Sequence, residues 1–188
     1  MQEINIPNEF IVFDLEWTAW EGSKARNWTG PGEYREIYDI GAVHVSGADY
    51  EVLAKFRQLV ALEIVPELPA FSIELTGITP QEIAKEGIPF QEAIQQFAAF
   101  TKGLQCYCWG HDGDILAENC QLKSIENPFT PSRFINMREV FKAQGVPADD
   151  YHSSTIVEYF GKQNVHTAHQ GLDDALNIVE ALRLLKVK

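Results

Sequence analysis

An α/β sandwich around a mixed sheet is the fold class that the sequence predicts, and three observations lead to it. Phe10 to Glu16, FIVFDLE, is a β-rich run, apolar at every position until Asp14, as a central strand covered on both faces would be. Two more β-rich runs follow it, EIYDIGAVHV from Glu36 to Val45 and YEVLAKFRQLV from Tyr50 to Val60. The remainder of the chain alternates helical periodicity with a short apolar strand, the ordering of a layered α/β domain. With 188 residues, one well-buried core suffices, so a single domain over residues 1–188 is expected.

The polar, glycine-containing stretch from Glu21 to Glu33 separates the first strand from the second, and a turn at Ser46 to Asp49 joins the second to the third. A three-stranded antiparallel meander is the simplest arrangement of the three. Thr79-Pro80 followed by Gln81 and Glu82 starts a short helix to about Lys85, with Thr79 as N-cap and Pro80 in the first helical position. Pro89 to Lys102 continues as an amphipathic helix whose Phe90, Ile94, Phe97 and Phe100 share one side. Leu104 to Trp109 reads as a strand, and Ile115–Leu122, Met137–Gln144, Ser154–Phe160 and Leu172–Leu185 as helices.

Hydrophobic residues at 45% and charged residues at 22% exclude a disordered tail and predict a chain that folds by itself. Apolar stretches fall well short of the ~18 residues that a membrane helix requires. The start MQEINIPNEF lacks the basic and apolar regions of a signal peptide, so a cytoplasmic location is expected. Cys106, Cys108 and Cys120 form no CxxC pair and read as reduced thiols, two on a buried strand and one on a helix. A net charge of −12 argues against a large-footprint nucleic-acid binder, which needs Lys and Arg against phosphates. It does not argue against an enzyme with a small footprint, because carboxylates that hold metal ions let the ions meet the phosphate.

Four acids stand out. Asp14 and Glu16 lie two residues apart on a strand and project from the same face. Burying both at the end of an apolar strand is unfavourable without a compensating charge, which a divalent cation would supply. The alternative is that Asp14 caps the strand and Glu16 is solvated. In HQGLDDALNIVEALRLL, Asp174 shares a helical face with Ile178, Ala181 and Leu185, whereas Asp173 runs with Asn177 and Glu180 on a more polar one. His169 falls in the loop entering that helix, where an imidazole of near-neutral pKa is suited to removing a proton. In CWGHDGDILAENC two acids compete. Asp112 shares a face with Ile115 and Leu116 while Asp114 falls with Glu118 and Gln121, so the periodicity favours Asp112; a boundary shift of two residues would reverse the choice.

Taken together, these segments resemble the DEDDh exonucleases of the ribonuclease T and DnaQ-like superfamily over nearly the whole chain. FDLEWT from Phe13 to Thr18 looks like the first motif, EIYDIGAV from Glu36 to Val43 like the strand after it, and LTGIT from Leu75 to Thr79 like the loop after the third strand. WGHDGDILAENC looks like the second motif and HQGLDDALNI like the third, with the His-four residues-Asp spacing of the DEDDh branch. Gly171-Leu172-Asp173-Asp174 and Asn177 give the flavour of KapD-like and histone-mRNA 3′-exonuclease-like proteins. Alignment from Trp109 comes out one residue short, which keeps Asp114 open beside Asp112.

The resemblance implies a ribonuclease H-like fold, two Mg²⁺ or Mn²⁺ ions held by Asp14, Glu16, Asp112 and Asp174, and His169 as general base. It further implies release of nucleoside 5′-monophosphates from the 3′ end of single-stranded or short DNA or RNA, with Trp17, Thr18, Leu75 and Ile78 bordering the terminal nucleotide and Leu75 or Ile78 wedging against its base. Relatives that dimerise leave room for a homodimer. His166 is a second imidazole candidate whose spacing to Asp174 does not match the family, and it reads as a surface or supporting residue. Trp17, Trp20 and Trp28 suit either base stacking or packing. Two other functions remain open: a nucleic-acid-binding or scaffold protein that kept the fold with little activity, and a ribonuclease H-like endonuclease using the same acids.

Overall fold

The structure is a computed structural model that describes residues 6–186. Its centre is a five-stranded sheet in the order β3-β2-β1-β4-β5, formed by β1 (Glu9–Trp17), β2 (Ile37–Ser46), β3 (Val52–Leu59), β4 (Cys106–Cys108) and β5 (Phe134–Asn136). The predicted meander is present: β1 pairs antiparallel with β2 and β2 with β3, while β4 and β5 add in parallel to β1.

Strand alternation divides the core into two layers. On β1, Phe10 and Val12 face one way and pack with Val43, Tyr107, Ala175, Ile178 and Leu182; the last three belong to the final helix, α6 (Gly171–Lys186). Ile11, Phe13 and Leu15 face the other way, against α3 (Phe90–Thr101) and α4 (Asp112–Leu122) through Phe90, Ile94, Phe97, Ile115 and Leu116. The same period of two carries Asp14 and Glu16 onto the α6 side, one step beyond the point where that face stops being apolar.

Two glycines allow α6 to come close enough. Asp14 lies opposite Gly41 across the β1–β2 ladder. A Cβ on Gly41 would sit 1.8 Å from the backbone nitrogen of Leu172, and one on Gly171 would sit 2.7 Å from the backbone oxygen of Asp14. The helix therefore starts with its backbone directly on the backbone of the two strands, where no side chain fits.

Several elements depart from the sequence expectation. The Thr79 start is as read, with the Thr79 and Glu82 side chains each bonding the other's backbone N–H at the head of α2 (Pro80–Glu86). A helix missed by periodicity, α1 (Ala70–Thr76), precedes it, so Leu75 is helical and Gly77 ends the helix in a left-handed conformation. It is too short for its apolar spacing to register. The helix α4 begins at Asp112, three residues before the expected Ile115. Strand β5 was not anticipated and leads straight into α5 (Met137–Ala143). Within Ser154–Phe160 the chain forms a 3-10 helix, Ile156–Phe160, in place of an α-helix; β-branched Thr155, Ile156 and Val157 disfavour the α form. Gly161 terminates it with positive φ.

If the backbone contact at Gly41 is what seats α6, Gly41→Ala should cost about 3 kcal/mol in urea unfolding. Gly103→Ala, where added bulk meets no atom within 4 Å but φ is +78°, should lose much less. Equal losses for the two would mean that the close approach does not set the position of the helix.

Candidate metal and catalytic centre

Asp14, Glu16, Asp112 and Asp174 converge. All four are buried, between 1% and 8% exposed. The carboxyl of Asp14 is raised well above its ordinary value, first by burial and then by the charges of Asp112, Asp174 and Glu16. Glu16 is raised likewise by burial, Asp174, Asp39 and Asp112. The donor atoms of Glu16, His169 and Asp174 all lie within 4.8 Å of one another.

Each acid arrives from a different element. β1 supplies Asp14 and Glu16, and α4 supplies Asp112 from its first turn, where Oδ1 accepts the backbone N–H of Leu15 at 3.1 Å. That bond fastens the head of α4 to the strand between the two β1 acids. Asp114 is 83% exposed and pairs with His111 at 3.2 Å. The structure thus brings Asp112 into the cluster and leaves Asp114 outside it, although α4 starts earlier than expected.

The first turn of α6 carries Asp174. Its Oδ2 accepts the Ser153 hydroxyl at 2.9 Å, and Ser153 is held in turn by Asn177, whose side-chain amide donates to the Ser153 carbonyl. Its Oδ1 is buried with no hydrogen-bond partner. An ionised carboxylate oxygen in that state is costly, and either a proton or a cation relieves it. Burial pushes Asp174 up to about 7 and Asp112 up to about 6. A buried set of hard oxygen donors with one imidazole beside it fits Mg²⁺ or Mn²⁺ better than zinc, which recruits more nitrogen and sulfur.

His169 sits in the turn before α6 with φ of +60°, a conformation uncommon for a residue with a side chain. Burial lowers its pKa, so the ring is neutral and able to accept a proton at neutral pH. His166 points elsewhere, its Nδ1 lying 3.9 Å from Asp173, which also accepts the backbone N–H of Thr167.

Of the four residues expected at the terminal nucleotide, two have exposed surface. Leu75 is 38% exposed, and Trp17 is partly exposed with its ring 6.4 Å from that of Trp28. Ile78 is a core residue packed with Tyr38, Leu59, Leu68 and Ile83, so it is not free to wedge against a base. Thr18 is fully buried, its hydroxyl donating to the Tyr34 carbonyl and accepting the Glu36 N–H. Its side chain therefore fixes the β1–β2 connection and has no surface for a ligand. Trp28 donates its indole N–H to the Thr18 carbonyl at 2.9 Å, and Trp20 is partly exposed on the same connection.

The sequence reading missed Asp39. Fully buried on β2 opposite Glu16, it accepts the N–H of Gly171 at 3.1 Å and pairs with Arg57 at 3.2 Å, tying the start of α6 to the sheet. A lone acid inside the otherwise apolar IYDIGAV was the available signal. Ser153 gave none, because it lies in a loop. Gln170 adds a further tie, its side-chain amide donating to the Thr76 carbonyl at 3.3 Å.

A sheet of this order with clustered acids at the end of its central strand defines a nuclease-type domain of the ribonuclease H-like class. The RNase T family model, described as Exonuclease, matches residues 11–182, and the chain belongs to that family. It is 27% identical over 188 residues to 3′-5′ exoribonuclease 1 of Mus musculus, covering 93% of this chain and 52% of that protein. It is 26% identical to 3′-5′ exonuclease Snipper of Drosophila melanogaster, covering 89% of this chain and 66% of that one. The chain thus spans about half to two thirds of the length of these relatives. Among solved structures, the nuclease domain of 3′hExo, a DEDDh family member bound to rAMP, has the same fold, with a TM-score of 0.82, 24% identity, and coverage of 97% of this chain and 94% of that one. A 3′-exonuclease whose structure shows recognition of the histone mRNA stem-loop 3′ end gives 0.81 at 25% identity, covering 96% and 82%.

The raised carboxyls set a pH dependence. A folded pKa above the unfolded value means that the native state keeps a proton the unfolded chain has released, so this contribution to stability is lost as pH rises. For Asp112 and Asp174 the loss runs from the ordinary 3.8 up through about 6 to about 7. Metal-free protein in EDTA should therefore lose Tm between about pH 4 and about pH 7. Magnesium at about 100-fold over its Kd should restore about 3 kcal/mol at the upper end. Asp174→Asn should flatten both effects; a parent protein whose Tm ignores pH and magnesium alike would contradict the cluster.

Proposed function

We propose that this chain is a metal-dependent 3′-5′ exonuclease acting on the 3′ ends of single-stranded or short nucleic acid and releasing nucleoside 5′-monophosphates. The observation that carries this reading is the convergence of four buried carboxylates, one with an orphaned oxygen, beside a neutral histidine. The names of the curated relatives favour RNA among the substrates. Asp14, Glu16, Asp112 and Asp174 would hold Mg²⁺ or Mn²⁺, which supplies positive charge against the scissile phosphate.

The residues of the chain do the rest. His169, neutral and half-buried, takes a proton from the attacking water, whose oxygen bonds to phosphorus as the bond to the 3′-oxygen of the shortened chain breaks. That leaving oxygen takes its proton from solvent. Ser153 and Asn177 hold Asp174 in one rotamer, and Asp39 keeps the turn bearing His169 against β2 through the Gly171 N–H. Leu75, exposed at the end of α1, and Trp17, partly exposed at the end of β1, are the side chains that would border the terminal base.

Strands labelled at the 3′ or the 5′ end, incubated with and without Mg²⁺, test the reading. Immediate release of a labelled mononucleotide from the 3′ end is expected. Internal fragments would instead indicate an endonuclease, and inertness with Mg²⁺ a binding protein. His169→Ala should lower kcat by about 10²- to 10⁴-fold with metal binding intact, the range of a general base. Asp112→Asn should be far more damaging than Asp114→Asn; the reverse order, or a comparable loss with His166→Ala, would reassign these roles.

A further inference from the structure

Many cations of this acidic chain are committed to carboxylates, as in Arg35–Glu118, Arg57–Asp39 and Lys123–Glu36. Arg138 and Lys24 are not: among the described residues neither forms an ion pair, and the buried Nε of Arg138 has no hydrogen-bond partner. Arg138 is the second residue of α5, just past the end of β5. Its guanidinium lies 5.8 Å from the ring centre of Trp109, at the end of β4. Trp109 donates its indole N–H to the Tyr151 carbonyl at 3.0 Å, and two residues on, Ser153 bonds Asp174. His152 sits between those two anchors and is exposed.

This places a free guanidinium on the α5 side of the carboxylate cluster, joined to it by a continuous chain of contacts through Trp109 and Tyr151–Ser153. Cys108 pairs with Asn136 at the ends of the parallel strands β4 and β5, so the segments that carry Asp112 and Arg138 leave the sheet at the same edge. Although its surface is exposed, partial desolvation of His152 and then the charges of Lys24, Arg138 and His169 lower its pKa, so it offers a neutral ring while the two cations offer charge. Lys24 comes from the opposite direction in the chain, from the β1–β2 connection. In a protein of net charge −12 an unneutralised guanidinium beside an anionic cluster is unusual, and it has the donor geometry to take phosphate oxygens.

We propose that Arg138, together with Lys24 and His152, forms a phosphate-holding rim that grips the backbone of a nucleic-acid strand behind its terminal nucleotide. The proposal rests on the exonuclease reading for the direction of the strand. It makes the rim responsible for affinity along the chain and leaves the chemistry to the carboxylate cluster. Ligands with several phosphodiesters should therefore gain from it and mononucleotides should not.

The test measures binding of a 5′-fluorescent single-stranded oligonucleotide by anisotropy, with Ca²⁺ replacing Mg²⁺ to prevent turnover, over a range of salt concentrations. Arg138→Gln and Lys24→Gln should each weaken binding several-fold and reduce the slope of log K against log salt by ~0.7, the value for one lost phosphate contact on a single strand. Arg138→Lys should keep the slope, which separates loss of charge from loss of packing on Trp109. Lys102→Gln, remote at the end of α3, should match the parent. In turnover with Mg²⁺, Arg138→Gln should raise KM while kcat changes little. An unchanged salt slope in Arg138→Gln, or a loss confined to kcat, would overturn the rim. If the slope responds as expected while the parent cleaves no 3′ end, the rim stands and the exonuclease reading falls.

Discussion

Mutual repulsion among Asp14, Glu16, Asp112 and Asp174 is the constraint that the rest of the structure answers. Removing several carboxylates from water costs several kcal/mol each, and crowding them adds to that cost. The two apolar layers on either face of β1 offset it, and specific bonds hold the acids in place against their repulsion. The Leu15 N–H on Asp112 and the Ser153 hydroxyl on Asp174 are the clearest of these. The oxygen of Asp174 left without a partner marks the place where the fold stops satisfying the acids by itself.

A second group of interactions serves placement. Asp39 is itself a buried acid and adds to the repulsion felt by Glu16, yet its pairing with Arg57 and the Gly171 N–H makes it a clamp between sheet and helix. Gly41 and Gly171 provide contact at the same junction through the absence of side chains. The position of His169 follows from both, since the turn that bears it runs directly into this junction with a backbone conformation held by its surroundings.

Much of this was legible in the sequence because the signals were periodic. The alternation in FIVFDLE placed Asp14 and Glu16 on one face, and the spacing of Ile178, Ala181 and Leu185 placed Asp174 inward. The start of α4 lies three residues before the expected one, yet this did not reverse the choice of Asp112 over Asp114 as a two-residue shift was expected to do, because the phase of a helix is set by its apolar spacing and not by its first residue. What was not legible lacked a period: the seven-residue α1, the three-residue β5, and the loop residue Ser153. Ile78 and Thr18 looked like ligand contacts by resemblance, but burial depends on tertiary packing, which puts one in a core cluster and makes the other a brace for the backbone.

The junction between α6 and the sheet has one more consequence, for the order in which the molecule comes into being. Three of the acids come before residue 113, whereas His169 and Asp174 are translated only after all five strands of the sheet. A polypeptide still emerging from the ribosome therefore has the sheet and most of its acids but neither the last carboxylate nor the imidazole. In such a nascent chain the buried cluster stays incomplete until the final helix docks its backbone on Gly41.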